Sequence, residues 1–342
     1  MRAMVLHEWG GPLTLESVPD PSPAHGEVVL RVHACAPDQF DVTIRAGRAG
    51  GKIPLVLGHE IAGEVAALGE GVDDFREGDR VIVHAYLTCG YCRFCLMGRE
   101  TLCRNFGGYF GVHVDGGYAE YVRVPLRNLC RIPDGLSYQE ATVAVSPVAT
   151  PLKAIKTRAG VRPGEHVVIV GACGGVGIHA VQIAKAFGAH VIAVDIDDGK
   201  LEKARELGAD HIVNGRSEDF AVRVEEITSG KGAETVLEFV GTEDTLLKSF
   251  ASLTTAGTLV IVGFQPGTAF SVDPTRYVSD EVVVTGSRYV NRAELAEAMD
   301  WVVAGKVKPV ISGTYPLEEA ERALEDLTAN RTWGRAPVLP LS

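Results

Sequence analysis

In the first 145 or so residues, short β-branched runs alternate with breaks of Gly, Pro and Asp. VVLRVHA (28–34), RVIVHAY (80–86) and YAEYVRV (118–124) predict strands, separated by turn-forming stretches such as PDPSP and EGDR. From about Val161 the period changes. HVVIVGA (166–172) reads as a buried strand, and in the segment after it Val176, Ala180, Ile183, Ala184 and Phe187 recur at helical spacing. HVIAVDI (190–196) is the next strand, KLEKARELGA a helix, and HIVNG, ETVLEFVG (234–241), GTLVIVGF (257–264) and EVVVTGS (281–287) further strands. Strands alternating with helices of this length imply a parallel, doubly wound α/β sheet.

After Ser287 a helix, RAELAEAMDWVVAG, precedes KVKPVISGTYPLEEAERALEDL, read as a strand followed by a helix that starts just after a Pro. The pattern divides the chain into a β-rich domain (1–148), a doubly wound domain (149–287) and a C-terminal segment (288–342) that packs back on the first. A chain of 342 residues suffices for two such cores. No run reaches the roughly 18 apolar residues of a membrane span, and the N-terminus lacks the apolar region of an export signal, so a cytoplasmic protein is expected. A net charge of −11 without a basic patch argues against nucleic acid or anionic membranes as partners.

GACGGVG, Gly171 to Gly177, lies where a strand ends and a helix begins. Gly171, Gly174, Gly175 and Gly177, with Val176, let backbone N–H groups and a helix N-terminus approach a pyrophosphate. A glycine string alone is weak evidence, but Asp195 ends the next strand 24 residues later, where a carboxylate can accept both ribose hydroxyls. Asp195 would repel a 2′-phosphate, so NAD(H) is expected over NADP(H), with Lys200 the nearby residue able to reach a phosphate.

The seven cysteines are an odd number in a chain without an export signal, which speaks against a disulfide framework. Cys89, Cys92, Cys95 and Cys103 have the spacing C-x2-C-x2-C-x7-C. Four thiolates close a tetrahedral Zn²⁺ shell and leave no position for water, so the site is structural. An iron–sulfur cluster is the alternative reading.

CAPDQFDVTIRAG (35–47) and LGHE (57–60) offer Asp38, Asp41, His59 and Glu60 as further metal ligands or catalytic groups. Taken in order, GHE with a following GEV, the four-cysteine lobe, DGGYAEYV and GACGGVG resemble the medium-chain dehydrogenase/reductase superfamily, and within it the zinc-containing alcohol dehydrogenase branch. The resemblance runs over essentially the whole length. It implies a GroES-like catalytic domain completed by the C-terminal tail, a Rossmann domain, an active site in the cleft between them, and a homodimer or homotetramer joined along the last sheet edge. It also implies that Arg335, in WGRAPVL, helps to hold the cofactor pyrophosphate.

The same resemblance exposes departures. Asp38 stands where the family has a zinc-binding Cys, with Cys35 three residues too early; Ser146 stands at the third ligand position, and Phe40 replaces the hydroxyl that relays a proton. Asp41 remains to orient His59. Two enzymatic readings follow. Asp38, His59 and Glu60 form an all-O/N zinc site that polarises a carbonyl, or no catalytic zinc binds and the site reduces an activated C=C, as in zinc-independent quinone, enone and enoyl-thioester reductases. The second is favoured, because Ser is a poor zinc ligand and GACGGVG is one residue longer than the loop usual in the zinc alcohol dehydrogenases. The C=C reading needs hydrogen-bond donors at the enolate oxygen, and Tyr86 and Tyr109 are candidate proton donors. A nucleotide-binding protein without catalysis is a third reading.

Overall fold

The computed structural model describes residues 1–341 and separates into two compact units. The first comprises Met1–Ser146, Val290–Val303 and Pro309–Ser342, the second Pro147–Tyr289 and Ala304–Lys308. Among the described residues no helix is long and apolar enough to cross a membrane.

The first unit is built around the strand Glu27–Ala36, which pairs antiparallel with Glu60–Leu68, with Tyr121–Pro125 and with Val338–Leu339. Val28, Leu30 and Val32 alternate along it and are fully buried, so one face of the strand lies in the core. Leu57, Ile61, Phe110 and Tyr118 belong to the same core. The short helix Gln39–Arg45 follows the strand directly, started by Asp38, whose side chain accepts from the N–H groups of Phe40 and Asp41 while Asp41 returns a bond to the Asp38 N–H.

Three of the expected strands differ here. RVIVHAY divides into Arg80–Val83 and Tyr86–Leu87, and at the break the Asn128 amide donates to the carbonyls of His84 and Tyr86. In YAEYVRV the strand begins only at Tyr121; Tyr118 instead exchanges backbone bonds with Met4 and Leu57. KVKPVIS forms a single bridge, Ile311 with Arg335, and the regular strand of that segment is Tyr315–Pro316.

The second unit contains a six-stranded parallel sheet. Its spatial order is His211–Asn214, His190–Asp195, His166–Val170, Ala233–Glu238, Leu253–Ile261, Val283–Gly286, so the chain starts in the middle and winds outward to both edges. This is the doubly wound order of a Rossmann fold. The helix Gly177–Ala186 is buried from Gly177 to Ala184, as a crossover helix lying on the sheet requires. Glu238 ends its strand because its buried carboxylate accepts from the N–H groups of Val240 and Gly241 and turns the chain.

Candidate active site

The four cysteines of the lobe come together although they span a helical turn and a 3-10 turn. The sulfur separations are 3.9 Å for Cys89–Cys95, 3.6 Å for Cys92–Cys95, 3.9 Å for Cys92–Cys103 and 3.5 Å for Cys103–Cys89. A tetrahedron with Zn–S bonds of about 2.3 Å has edges of about 3.8 Å, whereas a disulfide needs about 2.05 Å. The sulfurs therefore fit one zinc ion and no disulfide. Backbone N–H groups point at them as they do at thiolates: Cys89 donates to Cys103 Sγ and Cys92 to Cys89 Sγ, both at 3.3 Å. The lobe is tied down by buried Glu100, which accepts from Arg292 at 2.9–3.1 Å, and by Asn291, which donates to the Gly98 carbonyl.

The glycine loop turns tightly between the strand His166–Val170 and the helix Gly177–Ala186. Gly171 takes φ +79°, and Gly174 donates back to its carbonyl at 3.2 Å. A Cβ at Gly177 would lie 2.0 Å from the Gly171 carbonyl oxygen, so only glycine fits where the helix meets the loop. A Cβ at Gly174 would meet only the Gly171 carbonyl oxygen, at 3.5 Å, and Gly174 is exposed, which leaves its backbone approachable by a ligand. The N–H groups of Val176 and Gly177 open the helix and have no acceptor in a preceding turn. Asp195 faces this loop: one carboxylate oxygen accepts from Cys173 N and the other from Ile196 N, each at 2.8 Å.

Asp38, Asp41, His59 and Glu60 form one buried cluster in the first unit. Asp41 is fully buried and accepts three bonds, from the Asp38 N–H (3.0 Å), from the Tyr118 hydroxyl (3.0 Å) and from His59 Nδ1 (3.3 Å). The other ring nitrogen, Nε2, lies 3.6 Å from Asp38 Oδ2, beyond a hydrogen bond. With a carboxylate at each nitrogen, burial lowers the affinity of the ring for a proton but Asp38 and Asp41 outweigh it and hold His59 well above the usual imidazole range. Burial likewise raises Asp38, and His59 with Arg335 reverses this and keeps it ionised.

Arg335 completes the cluster from the C-terminal segment. Its Nε and Nη2 donate to the two oxygens of Glu60, both at 2.9 Å, and Nη2 lies 3.6 Å from Asp38. Burial pushes the Glu60 carboxyl up to about 7 against the pull of this guanidinium. Phe40 presents its edge to the His59 ring at 5.7 Å and 83°.

The residues of both units match known proteins. Residues 24–134 fit the model of the alcohol dehydrogenase GroES-like domain, and residues 175–304 that of the zinc-binding dehydrogenase. An NAD-dependent alcohol dehydrogenase of Sulfurisphaera tokodaii is 36% identical, with 99% of this chain and 100% of that protein aligned. The chain belongs to the zinc-containing alcohol dehydrogenase-like branch of the medium-chain dehydrogenase/reductase superfamily. An alcohol dehydrogenase of Geobacillus stearothermophilus is 37% identical over 98% of both chains. Among solved structures, the alcohol dehydrogenase from Aeropyrum pernix is similar with a TM-score of 0.92 and 33% identity over 99% of this chain and 100% of that one; a structure of AibC gives 0.93 and 35% over 99% and 95%. This dehydrogenase is thus an NAD(P)-dependent oxidoreductase.

Against that family the location of each residue becomes informative. Cys35 is fully buried, its sulfur packed where a Cβ on Gly58 or Gly117 would stand, and it belongs to the apolar core of the first unit. Arg335, assigned by resemblance to the pyrophosphate, has two of its three nitrogens on carboxylates. Tyr118 lay inside the quoted DGGYAEYV, but nothing local announces that its hydroxyl reaches Asp41, 77 residues away.

Proposed function

We propose that this dehydrogenase reduces an activated C=C bond with NADH and holds no zinc at His59. The observation that carries the reading is how the three candidate ligands are already engaged. Both oxygens of Glu60 are taken by Arg335, and Asp38 Oδ1 caps a helix by accepting from Phe40 and Asp41. Asp38 Oδ2 and His59 Nε2 are the donor atoms left, whereas catalytic zinc sites draw on three protein ligands. The cysteine lobe, by contrast, supplies a full set for one structural zinc.

Bound NADH supplies a hydride to the β-carbon of the acceptor. The π electrons of the C=C would then move to the carbonyl oxygen, and a proton from solvent would complete the α-carbon. His59, kept as an imidazolium between two carboxylates, offers its Nε2–H to the developing enolate oxygen, the task a metal performs in the zinc enzymes. Asp41 and Tyr118 fix the ring. The glycine loop would cradle the pyrophosphate.

One substrate separates this from alcohol chemistry. With NADH and 2-cyclohexen-1-one the expected product is cyclohexanone; 2-cyclohexen-1-ol as the main product would overturn the reading. The zinc alternative draws support from the relatives' names and from the closeness of ligand atoms on Asp38, His59 and Glu60, all within 4.8 Å of one another. Asp38, Asp41 and Glu60 around one guanidinium and one imidazole would also accommodate a dication.

Asp195 supports NAD(H) over NADP(H), since its carboxylate stands at the loop where a 2′-phosphate would be repelled. Asp195→Ala is expected to raise KM for NADH about tenfold or more while KM for NADPH stays level or falls; equal losses with both would remove Asp195 from ribose recognition. For assembly, the edge strand Val283–Gly286, with Val283 half exposed, fits the expected joining of sheets in a homodimer or homotetramer.

A further inference from the structure

Four aromatic side chains, linked to His59 through Phe40, have no part in the chemistry above. Tyr86 and Tyr109 are direct partners across a short antiparallel pair and meet edge to face at 4.7 Å and 86°. Phe106 closes a trio with them, 4.7 Å from Tyr109 and 5.5 Å from Tyr86, both at 68°. Phe40 bridges the trio to the site, 5.9 Å from Tyr109 on one side and 5.7 Å from His59 on the other. All four rings keep part of their surface exposed, whereas the neighbouring core aromatics Phe110 and Tyr118 are buried.

The wall is rigid at both ends. Strand pairing holds Tyr86 and Tyr109, and the Asp38 cap fixes the first turn of the helix that carries Phe40. Ring faces and edges held in this way lose little conformational entropy when a ligand arrives, and they favour flat partners that can stack or meet them edge-on. A flexible aliphatic chain gains apolar contact there without that geometry.

We infer that Phe40, Tyr86, Phe106 and Tyr109 form the acceptor-recognition surface and select an acceptor whose C=C is conjugated to a flat ring, an aryl enone, over open-chain aliphatic enones. This rests on the C=C reading proposed above. Tyr109, the ring shared by every pair in the wall except Tyr86–Phe106 and Phe40–His59, determines that selectivity.

The test compares 4-phenyl-3-buten-2-one with 3-penten-2-one, which differ by phenyl for methyl on the β-carbon. Ring conjugation makes the aryl ketone intrinsically the poorer hydride acceptor, so a preference for it comes from the protein. The expected kcat/KM ratio is about tenfold or more in favour of the aryl ketone, one to two aromatic contacts' worth. Tyr109→Leu is expected to lower that ratio about tenfold through KM for the aryl ketone. A general loss of structure would lower both substrates alike and leave the ratio intact, which would overturn the assignment of Tyr109, as would a wild-type ratio near one. Product identity is read separately: an allylic alcohol in place of the saturated ketone defeats the C=C reading while the ratio still reports on the wall. Without turnover, quenching of bound NADH fluorescence by the two ketones reads the same preference.

Discussion

Replacing Arg335 by methionine is expected to destabilise the first unit by about 3–5 kcal/mol, the usual cost of leaving a buried charge without its partner. Arg335 is 4% and Glu60 0% exposed, and both oxygens of the carboxylate rest on the guanidinium, so Glu60 has no water to turn to. The loss should depend on pH with a defined sign. Burial already raises Glu60 from 4.5 to about 7 with Arg335 in place, and without the cation it rises further. The folded variant then binds a proton that the unfolded chain releases above about pH 4.5, so its stability falls as pH rises from there. Adding Glu60→Gln to Arg335→Met should recover part of the loss and remove this slope, because an amide needs no counter-charge. Urea denaturation of the single and double variants at pH 5 and pH 8 measures all of this. A single variant within 1 kcal/mol of the parent at pH 8 would mean that Arg335 is not the counter-charge of an ionised, buried Glu60.

Cys92→Ser is expected to remove the zinc of the lobe. The serine oxygen cannot replace a thiolate in a shell of four sulfurs, and three ligands hold structural zinc far less tightly. Cys92 also starts the helix Arg93–Leu96, and the N–H groups of Arg104 and Cys95 hold its thiol down to about 6, so the side chain is prepared as a thiolate before metal arrives. The expected result is a zinc content near zero, a Tm lowered by several degrees and protease cleavage between residues 88 and 105, with the kcat of the surviving folded fraction close to wild type. A folded, zinc-replete variant without activity would contradict the structural role.

How much of this was legible in the sequence follows from the range of each interaction. The Rossmann strands and the glycine loop are local patterns, and the four cysteines fall within fifteen residues, so spacing alone placed them. Asp38, Asp41, His59 and Glu60 also read as one group, from two neighbouring segments. What closes the site was not readable: Arg335 meets Glu60 across 275 residues, and Tyr118 meets Asp41 across 77. The first pairing depends on the C-terminal strand Val338–Leu339 docking beside Glu27–Ala36, and the second on Tyr118 exchanging backbone bonds with Met4 and Leu57, registers that no local pattern specifies. The same holds for the aromatic wall. The sequence offers Tyr86 and Tyr109 together as candidate proton donors, but their edge-to-face contact rests on the pairing of Tyr86–Leu87 with Gly108–Tyr109 after RVIVHAY breaks at His84, where the Asn128 amide binds two carbonyls. Strand propensity read across that break predicted a continuous element, because it counts β-branched residues and takes no account of a side-chain amide capturing two carbonyls.

The measurement that bears most directly on the central claim is zinc per subunit, by elemental mass spectrometry on folded protein purified without chelator, in the parent and in Cys92→Ser. One zinc, lost in the variant, is the expected result and assigns the metal to the lobe alone. Two zincs, with one retained in the variant, would put a metal on Asp38, His59 and Glu60 and contradict the account.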